Sequence, residues 1–405
     1  MGLYDNSGKL GDKNLDPEWG TYVLADQQSA ITAGPDIRPF IYRNQHEIAG
    51  NFTAQVRHGA DYRELPGRAD AALDADTLQT VEASMARWGM VGLLALHRGE
   101  VVYEAYRGGN TDQSRSIIHS CTKSLTSTLI ASAIQAGLVS LDGRVAEYIP
   151  ELAGSDYGAS TIRSLMDMSS GVNDGLLGSD EDETERFKRR TGAYSDPEPS
   201  AVIEWAKTQT RFAEPSAEFE YYDFNYFLLA ETLRRVYGKS YERILEEQIW
   251  VPAGMQHDAV ARVTAAGDAD GHGGLMATLR DMGRIGLFVL DAVQGSGGPR
   301  VPEGWFETIA AHGADTEGVR APGQLPMSAG FGYSLGWWPH PETSLDGTLT
   351  NVRCISAQGV FGQCIFVFPD RDAVVVAQSA SMMHDGDCYG GTLATAATIL
   401  AAVGA

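Results

Sequence analysis

The chain is predicted to be α/β of the α+β kind, with an antiparallel sheet supplied by both chain ends, flanked by helices, and a helical lobe inserted in the middle. Three observations carry that expectation. Residues 91–97 form an apolar run, Arg98-Gly99-Glu100 a turn, and residues 101–106 a second run, which together read as a hairpin. Residues 362–368 and 373–379 repeat the pattern around Pro369-Asp370-Arg371-Asp372 near the C-terminus. Between the hairpins, residues 140–285 hold helical spacing or loop, with helices expected at 161–168, 201–208, 225–236 and 280–290.

Taken in order, residues 1–75 read as an irregular N-terminal extension that wraps the body, followed by an amphipathic helix over 76–88 and the first hairpin. A helix beginning near Ser120 has Leu125, Leu129 and Ile130 at helical spacing and Gly137 as its stop. After the second hairpin, a Gly/Ala-rich helix over 391–403 closes the chain. The expected division is residues 76–118 plus 285–405 as a sheet domain and 119–284 as a mostly helical domain, with a cleft between them as the default site. The acidic-then-basic run over residues 180–190 reads as a solvated face and lacks metal-ligand spacing. There is no internal repeat.

At 405 residues the chain is long enough for a large core, and its 43% apolar content is that of a globular protein. The net charge of -22 argues against nucleic acid, whose phosphates need clustered Lys and Arg, and against anionic membrane surfaces. The N-terminus has no basic and apolar leader pattern, and no run approaches a membrane-spanning length. Cys121, Cys354, Cys364 and Cys388 have no zinc-like spacing, so free thiols and a cytoplasmic location are expected, without cofactor or metal. A homo-oligomer is compatible with this composition.

The chemistry starts at Ser120-Cys121-Thr122-Lys123. On a helix, residues three apart share a face, so the hydroxyl and the amine become neighbours. A serine needs a base to take its proton, and a lysine serves if its pKa is lowered. An N-cap serine with an exposed lysine is the plain alternative. A second element is Phe219-Glu220-Tyr221-Tyr222-Asp223-Phe224-Asn225, where a tyrosine brought to the Ser/Lys pair can relay a proton to the leaving group. A third is Ala357-Gln358-Gly359-Val360-Phe361-Gly362-Gln363, where glycine permits close approach of a strand edge. The N–H of Val360 with that of Ser120 would form an oxyanion hole. His119 adjoins Ser120 but points elsewhere on a helix, which makes it a poor base. There is no Gly-x-Ser-x-Gly elbow and no His-Glu-x-x-His.

These elements, in this order, resemble the penicillin-recognising serine hydrolases, a group that holds class C β-lactamases, D-Ala-D-Ala peptidases, family VIII carboxylesterases and 6-aminohexanoate-dimer hydrolases. The likeness extends to residues 117–127, to 135–142 with Val145 and 148–152, and to 161–172, to Gly273-Gly274-Leu275-Met276-Ala277-Thr278-Leu279-Arg280-Asp281-Met282, and to Gly332-Tyr333-Ser334-Leu335-Gly336-Trp337-Trp338. It covers about residues 90–400 and leaves the first 75 or so without a counterpart. The resemblance implies a β-lactamase/transpeptidase-like fold, acylation of Ser120, Lys123 as general base, and Tyr221 as the tyrosine of a Tyr-x-Asn motif, with Tyr222 as its rival. The 6-aminohexanoate-dimer hydrolase branch looks closest, on residues 146–155 and the Gly362-Gln363 pair.

Two departures bear on substrate. Asp223 stands where the family often has Asn; an ionised Asp cannot donate to a substrate carbonyl, and near Lys123 it favours the charged amine. Either Asp223 turns away or Tyr221 is the base. Ala357-Gln358-Gly359 replaces Lys-Thr-Gly, which in the family binds the β-lactam carboxylate, so β-lactamase activity is disfavoured. Asp223, Gln358 and Gly359 are the expected substrate-binding positions, with Gln358 equally able to face solvent. The reading is a serine hydrolase of a small linear amide or carboxylic ester. An acyltransferase on the same site, a β-lactamase or D-Ala-D-Ala peptidase, and a non-catalytic binding protein are the alternatives.

Overall fold

A computed structural model describes residues 52–69, 72–175, 201–263, 267–311, 332–345, 349–380 and 387–405. The expectations for residues 1–51 and for the charged run at 180–190 lie outside them. In chain order the elements are β1 (Phe52–Val56), α1 (Ala75–Arg87), β2 (Met90–His97), β3 (Glu100–Tyr106), β4 (Arg115–Ile117), α2 (Cys121–Gln135), β5 (Val172–Asn173), α3 (Ala201–Thr208), β6 (Thr210–Arg211), α4 (Phe224–Tyr237), β7 (Ala259–Val263), β8 (Leu275–Thr278), α5 (Leu279–Val293), β9 (Trp338–Leu345), β10 (Leu349–Gly359), β11 (Gln363–Phe368), β12 (Ala373–Ser379) and α6 (Asp387–Ala402), with shorter helical turns between them.

Six strands pair antiparallel in the order β3-β2-β12-β11-β10-β9, so the two ends of the chain meet along β2 and β12. Successive side chains of a strand point to opposite faces. In β2, Leu93 and Ala95 join Val81 and Met85 of α1 and Leu393 and Leu400 of α6 on one face. Leu94 and Leu96 join Ile285 and Val289 of α5 on the other. Burial of both faces is why these strands read as continuous apolar runs rather than as alternation.

Helix α2 lies in the core between this sheet and α4, with residues 121 to 133 all buried. A helix enclosed all round needs its polar side chains satisfied locally. The hydroxyls of Thr126, Thr128 and Ser132 donate to the carbonyls of Thr122, Ser124 and Thr128, at 3.2, 2.8 and 3.1 Å. Gly137, at φ +72°, ends the helix as expected, and the Leu138 N–H closes back on the Ala133 carbonyl at 2.9 Å.

A second sheet, in the order β1-β7-β8-β4, was not anticipated. Residues 52–56 of the expected irregular extension form its edge, paired with β7 from Phe52↔Val263 to Val56↔Ala259. The helical middle of the chain supplies β7 and β8. Both are short and almost wholly buried, so neither shows the alternation that marks a half-exposed strand. Strands β9 and β10 were also missed, apart from the tip of β10. Among the described residues no helix is long and apolar enough to cross a membrane.

Candidate active site

The small sheet presents Ser120. Strand β4 pairs with β8, and the next residue, Ile118, donates its N–H to the Leu275 carbonyl at 2.9 Å. His119 then turns the chain through φ +47°, a left-handed conformation unusual for a residue with a side chain. Ser120 follows at the mouth of α2, half-buried, and its hydroxyl makes no helix-capping bond. One turn on, Lys123 Nζ donates to Ser120 Oγ at 2.7 Å. The lysine is buried, at 1% exposure, unlike the solvated lysine of the capping alternative.

All three ammonium protons of Lys123 have acceptors. Besides Ser120 Oγ they are the His272 carbonyl, at 3.0 Å, and Asp223 Oδ1, at 2.8 Å. Burial works against the charge, but Asp223, with Tyr221, outweighs it and raises the lysine above its ordinary pKa. Asp223 does not turn away. It is the first residue before α4, 24% exposed, and holds Lys123 as an ammonium.

Tyr221 lies beside both groups. Its phenol lies against Ser120 and Lys123, and Lys123 Nζ stands 4.8 Å from the ring centroid. Burial raises this phenol, and Lys123 offsets part of the rise. The ring stacks on Trp338, at 5.8 Å and 26°, and meets Tyr333 edge-on at 5.7 Å. Tyr222 faces elsewhere: it is buried, and its hydroxyl donates to Gln209 Oε1 at 2.9 Å. The geometry thus brings Tyr221, and not Tyr222, to Ser120.

The end of β10 passes against the start of α2. A Cβ at Gly359 would sit 2.3 Å from the Ile118 carbonyl oxygen and 3.1 Å from the Ser120 nitrogen, so only glycine fits. Beyond Val360, Phe361 is also left-handed, at φ +67°, and its ring meets that of His119 edge-on at 5.4 Å. Gln358 neither faces solvent nor lies free for a substrate. Its amide donates to Ser356 Oγ at 2.9 Å and stands 3.5 Å from His340 Nε2. His340 in turn packs on Phe366, in the layer under α1 and α6. His119 is buried and its imidazole is pushed down to about 3 by burial and by the Arg262 charge, so it stays neutral.

Three charged or titratable residues of the cluster were not singled out in the sequence: His272, Asp270 and Arg262. His272 Nε2 faces Asp223 Oδ2 at 3.7 Å, and its Nδ1 contacts Asp270 Oδ1. Asp270 Oδ2 accepts from Arg262 Nε and Nη2 at 2.8 and 2.7 Å. The available signal was Asp270-Gly271-His272-Gly273-Gly274, three glycines around two titratable groups, running into the segment already marked as a landmark. Among the described residues no group of three or more His, Cys, Asp or Glu is placed to hold a metal ion.

Residues 78–395 match the family model described as Beta-lactamase. The chain belongs to the beta-lactamase family. Among curated proteins, this family member is 29% identical over 290 residues to the 6-aminohexanoate-dimer hydrolase of Paenarthrobacter ureafaciens, covering 71% of each chain. Among solved structures it superposes with a TM-score of 0.72 on a Bacillus anthracis protein provisionally assigned as a 6-aminohexanoate-dimer hydrolase, at 20% identity over 91% of this chain and 96% of that one. EstCE1, described as a hydrolase with promiscuous acyltransferase activity, gives 0.60 at 15% identity over 80% and 98%. A class C beta lactamase from Rhodobacter sphaeroides gives 0.55 at 16% identity over 82% and 100%. These similarities establish the β-lactamase/transpeptidase-like fold and place the chain among serine hydrolases at the level of the family.

Proposed function

We propose that this beta-lactamase-family protein cleaves a small linear amide or carboxylic ester through an acyl-enzyme on Ser120. The observation that carries the reading is the contact of the half-buried Ser120 hydroxyl with both Lys123 Nζ, at 2.7 Å, and the Tyr221 phenol. Ser120 Oγ attacks the carbonyl, and its proton passes to the Lys123/Tyr221 pair. The N–H groups of Ser120 and Val360 face the oxyanion, and Tyr221 delivers a proton to the leaving group. Water then repeats the sequence on the acyl-enzyme. The backbone of Gly359 and Val360 flanks the substrate, because the Gln358 side chain is engaged with Ser356 and His340.

The 29% identical relative is named for hydrolysis of an amide dimer, which favours linear amides; esters are chemically easier and serve as side substrates. The test is hydrolysis of p-nitrophenyl acetate by wild type and Ser120→Ala, with mass spectrometry of the trapped adduct. The expected result is an acyl mass on the Ser120 peptide and a loss in the variant on the order of 10³-fold or more. Equal rates would remove the enzymatic reading. A panel of short esters, linear amide dimers and nitrocefin then orders the substrates, and added alcohol or amine acceptors separate hydrolysis from acyl transfer.

A further inference from the structure

Beneath the Ser120–Lys123 pair lies a file of buried charged groups that acyl transfer on Ser120 does not by itself require: Lys123, Asp223, His272, Asp270 and Arg262. The side chains of His272, Asp270 and Arg262 are 5%, 0% and 1% exposed, so this is not a surface ion-pair network of small consequence. The loop that holds it is built tightly. Asp270 Oδ1 accepts the backbone N–H groups of His272 and Gly273 at 3.3 and 3.1 Å. The Gly271 carbonyl accepts the Thr126 hydroxyl of α2 at 2.7 Å. A Cβ at Gly271 would lie 2.8 Å from both Ala230 Cβ and the Tyr226 carbonyl oxygen. Phe227 of α4 covers the imidazole at 5.0 Å between ring centroids.

This arrangement answers a difficulty in the proposed reaction. Lys123 rests as an ammonium with every proton engaged, and an ammonium cannot accept the Ser120 proton. It must first lose one. Asp223 is the acceptor in contact with it, and the imidazole beyond Asp223 has a carboxylate at each nitrogen. An imidazolium formed there is flanked by two opposite charges, with Arg262 balancing the second.

We propose that His272 is a positioning residue for the Ser120 chemistry: through Asp223 it takes up the proton that Lys123 must release before it can act as the base. Lys123 Nζ gives its proton to the Asp223 carboxylate. The carboxyl group turns and delivers that proton to His272 Nε2. One N–H bond breaks at the lysine, one forms at the imidazole, and Asp223 ends as it began. The net charge of the cluster does not change. The groups that face this exchange are Asp223 and Tyr221 ahead of α4, Tyr226 within it, Tyr241 beyond it, Lys123 of α2, His119 before α2, Arg262 of β7 and Asp270 on the loop itself. His119 stays neutral, and Arg262 stays charged.

The inference rests on the proposed acyl-enzyme reading, and its test keeps the two apart. With the full chain and p-nitrophenyl acetate, kcat and kcat/KM are followed against pH for wild type, His272→Gln and Asp270→Asn. A relay makes the proton-transfer step depend on the imidazole itself and not only on its packing. In His272→Gln kcat at neutral pH falls about ten-fold or more, the range of a lost proton-transfer partner, with KM little changed, and the shape of the pH profile changes. In Asp270→Asn, where the imidazole loses the carboxylate at Nδ1, the shape of the profile changes as well. A role in packing alone would scale the whole profile without changing its shape, and that result would overturn the relay. If Asp270→Asn unfolds for want of a partner for Arg262, the wild-type and His272→Gln profiles alone decide between these two outcomes. Failure of the parent reading looks different, as no adduct forms on Ser120 in any variant.

Discussion

An ammonium beside a serine hydroxyl cannot take up its proton, and here one carboxylate is responsible. Lys123 is raised because Asp223 at 2.8 Å outweighs the cost of burial. Asp223→Asn removes the opposing charge and leaves the burial, so the lysine pKa is expected to fall and a larger share of the enzyme to carry the free amine at neutral pH. A carboxamide cannot pass a proton to His272, so Lys123 then titrates on its own account. The check is the pH profile of kcat/KM: its rising limb should report Lys123 at a pH below that of the free side chain, ~10.4. A limb unchanged from wild type would mean that Asp223 does not govern the lysine. Ser120 and Lys123 were legible in the sequence because helix geometry is local and residues three apart share a face. The Asp223 conflict was legible as well, since charge is written in the residue type. The direction in which Asp223 points was not, and neither was its link to His272, which lies 49 positions away and reaches it through the packing of the 270–274 loop on α2 and α4.

At the scale of elements, the site is the meeting of the α2 entrance with the tip of β10. Two left-handed residues that carry side chains, His119 and Phe361, flank the N–H groups of Ser120 and Val360 and brace each other ring to ring. Such backbone is held only where its surroundings over-determine it. Gly359→Ala tests the contact. The added methyl meets backbone atoms of Ile118 and Ser120, which cannot swing aside as a side chain would. The expected outcome is a fall in kcat/KM of about ten-fold or more and a loss of roughly 1–3 kcal/mol of stability, read by denaturant titration. Full activity in a folded Gly359→Ala would show that the strand tip does not border the reacting group. The two hairpins and the long helices were readable from apolar runs and turn residues. Strands β7 and β8 were not, because strands of five and four residues buried on both faces carry no period.

For the molecule as a whole, buried neutral histidines bias stability against acid. His119 and His340 are each held down to about 3, chiefly by burial. A histidine depressed in the folded state binds its proton more readily when unfolded. Its contribution is therefore complete above ~6.5 and is lost as pH falls toward the folded value. Between those limits each such histidine adds a slope of about 1.4 kcal/mol per pH unit. His340 packs on the face of β10 turned away from α2, against Ser356 and Phe366, so His340→Gln is expected to flatten the acid side of the stability curve with little effect on the proposed Ser120 chemistry. Denaturant midpoints at pH 6 and pH 4 measure it, and an unchanged difference would refute it.

Short-range order was readable from the residues alone. Helical spacing, turn chemistry and the three-residue Ser–Lys interval depend on neighbours in the chain, and a run of ordered landmarks was enough to place the fold. Long-range choices needed the folded molecule. It brings Tyr221 rather than Tyr222 to the hydroxyl, directs Gln358 into the layer under α1 and α6, and pairs residues 52–56 with β7. It also gives Asp270 and Arg262 a charge partner in each other. Each of these outcomes depends on which surfaces pack together across long stretches of sequence, and a pattern with a period of two or of 3.6 residues carries no record of that.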